Sequence, residues 1–111
     1  EVAYGSLLQA DRQTRHRRAA EMLERLYRGR TEEVCDQLAH HWAQSDCRVQ
    51  ALPYLLTAAD GAVAVGANQE AIGHLQGALG LITEHPEAAP KEQANAIRLK
   101  LAGLHFIVGE R

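Results

Sequence analysis

Apolar residues return every three or four positions along almost the whole chain, and nowhere do they alternate over a length that would build a strand. That period belongs to amphipathic helices, so the sequence predicts an all-α protein. The apolar positions are filled mainly by Ala and Leu, and aromatic residues make up only 5% of the 111. Small and unbranched side chains favour the helical backbone and let helices approach closely. At this length the chain fits one fold rather than two independent ones.

The breaks in the pattern divide the chain. A short stretch from Val2 to Leu8 places Tyr4, Leu7 and Leu8 on one side. A longer helix is expected from Ala10 to Arg28, where His16, Ala19, Ala20, Leu23, Leu26 and Tyr27 recur at helical spacing before Gly29 ends it. Thr31 is the expected N-cap of the next helix, which carries Leu38, Ala39 and Trp42 and closes at Ser45-Asp46. Pro53 is tolerated only near a helix start, which places the following helix from Arg48 or Val49 to Val65, with Gly66 as its stop. Asn68 then caps a helix through Thr83 whose stripe is Ala71, Ile72, Leu75, Ala78, Leu79 and Ile82. Pro86 and Pro90 bracket a loop, and Pro90 suits the first position of a fifth helix to Val108. Short turns between five main helices imply antiparallel stacking.

Fixed spacing of small and large residues adds a repeat signal. Leu38-Ala39 with Trp42 matches the first helix of the tetratricopeptide (TPR) pattern, a unit of about 34 residues. Ala51, Leu55 and Ala58 fall at the second-helix positions, and the triplet returns as Ala71, Leu75 and Ala78. Leu101-Ala102 with His105 resembles a further first helix. The expected architecture is therefore a set of antiparallel helical hairpins stacked as a TPR-like right-handed superhelix.

Four stretches carry a wider resemblance: Val2-Ala3-Tyr4-Gly5-Ser6-Leu7-Leu8, Arg12 with His16-Arg17-Arg18-Ala19-Ala20-Glu21, Leu38-Ala39-His40-His41-Trp42, and Ala51-Leu52-Pro53-Tyr54-Leu55. Together they resemble the region that follows the nucleotide-binding domain in large bacterial signalling ATPases, including multidomain adenylate or guanylate cyclases and LuxR-type transcription regulators. The resemblance implies that residues 1–30 are linker helices after an upstream domain and that residues 31–111 are a TPR-like repeat region truncated at its C-terminus. It implies a non-catalytic role in protein–protein interaction and signal coupling, with a partner protein or other domains of the parent chain as the ligand. The missing initiator Met and the stop just after an apolar pattern agree with a piece of a larger protein.

The sequence carries few of the patterns that site chemistry needs. Gly61 to Gly66 is followed by Ala67-Asn68, without the Lys and Ser/Thr of a phosphate-binding loop. No nucleophile with an oriented base is legible, and no cofactor site is expected. His40 and His41 are neighbours, so on a helix they point about 100° apart and are not expected to face one metal; packing and capping are their expected roles. Cys35 and Cys47 fit no common zinc spacing and no disulfide framework, and their use suggests a reducing, cytoplasmic compartment. Gly73 and Gly77 suggest close helix packing rather than a membrane seam, because no apolar run approaches the roughly 20 residues that span a bilayer.

Two surfaces remain as candidates. Arg12, Arg15, Arg17 and Arg18 crowd the first long helix and offer an alternative function in nucleic-acid contact. Against it, Asp11, Glu21 and Glu24 each precede an arginine by four residues, the favourable order for pairs on a solvated face. In the fifth helix Ile97, Leu101, Leu104 and Val108 form one stripe while Leu99 and Phe106 point elsewhere. A helix apolar on two sides expects two neighbours, so Leu99 and Phe106 are the expected contact for a partner or for self-association.

Overall fold

Five α-helices account for most of the chain in the computed structural model, which describes residues 2–109: α1 (Val2–Leu26), α2 (Cys35–Gln44), α3 (Leu52–Ala64), α4 (Asn68–Glu84) and α5 (Lys91–Gly109). Three short 3-10 turns, Thr31–Val34, Arg48–Ala51 and Pro86–Ala88, precede α2, α3 and α5, and no strand occurs among the described residues. Among the described residues no helix is long and apolar enough to cross a membrane. The chain divides into two units, one ending at Tyr54 and the other beginning at Leu55.

In the first unit α1 packs against α2. The expected short stretch and the long helix after it are one continuous helix, since Gly5 does not interrupt it; the Tyr4 side chain lies outside the described residues. α1 buries Ala20 fully and half-buries His16, Leu23 and Tyr27, which lie along one line at 100° per residue. Leu26 lies about 90° off that line and is exposed, which corrects its place in the predicted stripe. Gly29 adopts a φ of +81°, the left-handed conformation that stops a helix and that side chains with a Cβ resist.

Thr31 does not cap α2. A 3-10 turn intervenes, with Arg30 at its cap position, so α2 starts four residues later at Cys35. The end is as expected. The backbone N–H and Oγ of fully buried Ser45 both donate to the Trp42 carbonyl, at 3.1 and 2.7 Å, and the same Oγ accepts the Cys47 N–H at 3.0 Å. One hydroxyl therefore closes the helix and opens the next turn. Val34, Cys35, Leu38, Ala39, Trp42, Ala51 and Leu52 complete this core.

Regular α3 begins at Leu52, later than the expected Arg48 or Val49, because Arg48–Ala51 winds as a 3-10 turn. Pro53 thereby occupies the first turn of α3, where its missing N–H leaves no helical bond unmade.

In the second unit α4 packs against α5. Ala71, Ile72, Leu75, Ala78, Leu81 and Ile82 of α4 are buried, with Ala94, Ile97, Leu101 and Leu104 of α5 and Ala58 and Ala59 of α3. Leu55 and Leu79, both expected in the core, are half-buried. Gly66, with a φ of +79°, separates α3 from α4 as predicted. Asn68 is the first helical residue rather than the cap; Ala67 holds that position without a side-chain hydrogen bond. Pro90 likewise sits one residue before α5, and its carbonyl accepts the N–H groups of Gln93 and Ala94. Of the glycine pair on α4, a Cβ at Gly77 would lie 3.6 Å from Leu55, whereas at Gly73 it would meet nothing within 4 Å. Close packing applies to Gly77 alone.

Candidate functional site

The outer side of α5 carries the first candidate. Its buried residues Ala94, Ile97, Leu101 and Leu104 fall on one line, and Leu99, Ala102, Gly103 and Phe106 fall on the opposite one at positions i, i+3, i+4 and i+7. All four are exposed, Leu99 at 75% and Phe106 at 69% of their full surface. Large, small, small, large in that order makes a ridge with a shallow saddle, a shape that fits another helix. Gly103 has no role in the chain's own packing, since a Cβ there would touch nothing within 4 Å. The sequence named the two large residues and missed the two small ones between them.

Beside this ridge a groove of the same unit is lined by Ala59, Val63, Leu75, Gly103, Leu104 and Ile107, with Asp60 and Lys100. Lys100 Nζ and Asp60 Oδ1 are 3.5 Å apart and link α5 to α3. Val63 and Ile107 are about half exposed, so the apolar surface continues around the helix from Phe106.

A second cluster joins α1 to α2. His16 meets both His40 and His41, with ring centroids 5.5 and 5.2 Å away, and the adjacent pair is itself 5.2 Å apart. The Nδ1 atoms of His16 and His41 are 2.9 Å apart, a hydrogen bond that needs one ring to donate and the other to accept. One potential ligand nitrogen from each of the three rings lies within 4.8 Å of the others. This corrects the expectation that neighbouring histidines must face apart. Neighbouring positions on a helix do diverge by about 100°, but the two rings lie 5.2 Å apart and the ring of His16, from α1, packs against both. Burial first, and then the nearby His40 and His41's other neighbour His16, hold His41 below the ordinary histidine value.

Glu24 anchors a third group. Its Oε2 accepts the Trp42 indole N–H at 3.1 Å and the Tyr54 hydroxyl at 2.6 Å, tying α1, α2 and the start of α3 together. Burial, then the hydrogen bond and charge of Glu24, push Tyr54 up to about 12. The sequence assigned Glu24 to a solvated face and missed this inward role.

Of the four arginines, Arg12, Arg15 and Arg18 fall within an arc of about 120° on one side of α1, and Arg17 points away from them. Arg17 donates to Asp46 at 3.1 Å and is half-buried, Arg15 pairs with Asp11 at 3.0 Å, and Arg12 and Arg18 are exposed. Cys35 and Cys47 are free thiols, and burial followed by the neighbouring Asp36 or Asp46 raises each above the usual thiol value, which disfavours the nucleophilic thiolate.

No protein-family model, no curated protein and no solved structure matches this chain.

Proposed function

We propose that this chain is a non-catalytic, TPR-like segment for protein–protein interaction and signal coupling within a larger bacterial regulatory ATPase, a cyclase or a transcription regulator of the cytoplasm. The observation that carries the interaction reading is the exposed ridge of Leu99, Ala102, Gly103 and Phe106 opposite the buried stripe of α5. Water gains nothing from such a surface, and burying Leu and Phe side chains is worth about 1.5–3 kcal/mol each. Its occupant is a helix, from a second copy, another domain of the parent or a partner protein, because the spacing matches helix-on-helix packing.

The hairpin arrangement of a TPR-like stack is supported by which residues of α4 and α5 come together. Leu75 shares a groove with Gly103 and Leu104, while Ile82 and Thr83 line another with Ala94 and Asn95, the pattern of antiparallel helices. The parent's identity rests on the sequence resemblance.

A photo-crosslinking residue in place of Leu99 or Phe106 tests the interaction reading on the purified chain. We expect crosslinked dimers from both positions and none from exposed Gln76 on α4. Equal yields from all three positions would contradict a specific surface.

A further inference from the structure

We propose that His16, His40 and His41 form a binding site for a divalent transition-metal ion of the zinc class, which pins α1 to α2. The inference is independent of the interaction reading, because these rings belong to the other unit.

Geometry carries it. Three imidazoles from two helices converge, and one ligand nitrogen from each falls within 4.8 Å of the other two. Zinc–nitrogen bonds of about 2.0–2.1 Å in a tetrahedron put ligand nitrogens roughly 3.4 Å apart. The Nδ1 atoms of His16 and His41, at 2.9 Å, are already at that scale, and the third nitrogen, up to 4.8 Å away, has to approach by about 1.4 Å, which side-chain rotation supplies.

The chemistry agrees. A single proton between the two Nδ1 atoms occupies the space where two lone pairs face each other. When a metal ion takes both lone pairs, that proton moves to the Nε2 of its own ring through solvent, and both rings stay neutral. Imidazole nitrogens suit Zn2+, Ni2+ and Cu2+, and a set without carboxylate does not suit Mg2+ or Ca2+. Three protein ligands leave a fourth position for water or for a donor from a partner.

The alternative reason for such a cluster, simple aromatic packing, predicts no metal response. His40 is exposed, so an ion reaches the site without opening the core.

Competition between the 111-residue chain and a chromophoric chelator, with Zn2+ as the probe and Mg2+ as the control, provides the test. We expect one Zn2+ per chain, no displacement by Mg2+, and a higher melting temperature with Zn2+ than with a strong chelator. His16→Ala, His40→Ala and His41→Ala should each weaken binding at least about tenfold, while His105→Ala on α5 leaves it unchanged. Circular dichroism in chelator shows whether each variant is folded. If one is not, nitrogen NMR of the wild-type rings replaces it: Zn2+ should shift the ring nitrogens of His16, His40 and His41 and leave those of His74, His85 and His105 in place. Absence of Zn2+ binding, binding that survives all three substitutions, or shifts confined to other histidines overturns the proposal.

Discussion

Glu24 shows how much one side chain can organise without being visible as important. Two donors, the Trp42 indole and the Tyr54 hydroxyl, end on the same carboxylate oxygen. Glu24→Ala leaves both partly buried donors without their acceptor and should cost about 2 kcal/mol, read from the urea midpoint. Tyr54 gives the same group a pH signature. Its folded value of about 12 lies above the ordinary 10, so between these values the unfolded chain has lost a proton that the folded chain keeps. This contribution to stability is complete below pH 10 and disappears as pH rises towards 12. Denaturation at pH 9 and pH 11 should show a larger loss for wild type than for Tyr54→Phe; an equal loss in both would remove Tyr54 from the account. None of this was legible in the sequence, where Glu24 has a suitable arginine four residues on and its true partners are 18 and 30 residues away. His16 was hidden for the same reason, since nothing local says that a ring 25 residues before His41 will lie against it.

At the scale of elements, periodicity was a good guide to which segments are helical and a poorer one to where they begin. Gly29 and Gly66 were readable because a positive φ is nearly reserved for glycine, and Ser45 because a hydroxyl is useful at a helix end. Thr31, Asn68 and the Arg48–Val49 start failed because 3-10 turns or an uncapped alanine took the starts, choices that tertiary packing makes and propensity does not encode. α5 shows the opposite case, where both its faces were anticipated from the spacing of Ile97, Leu101 and Leu104 against Leu99 and Phe106. Its Gly103 separates folding from docking. With open space around the added methyl, Gly103→Ala should stabilise the chain by up to about 1 kcal/mol through helix propensity alone. If the saddle receives another helix, the same substitution should weaken association. A Gly103→Ala chain that is both more stable and equally associated would show that the saddle receives nothing.

Across the whole molecule a helical chain forms its own cores and carries a second, outward apolar line on α5. The fold class followed from the three- and four-residue spacing. The proposed interaction surface consists of apolar residues that the cores leave exposed. Exposed side chains of this size are common singly, and it is their alignment over two turns that makes them a surface. Sedimentation across a concentration series, on wild type and on the Leu99→Glu, Phe106→Glu double variant, tests this most directly. Both positions are exposed, so the double variant should melt within a few degrees of wild type. Wild type should move from monomer towards dimer as concentration rises while the variant stays monomeric. A wild type that remains monomeric throughout, or a variant that associates as well as wild type, would contradict the claim that this ridge is where the chain meets another helix.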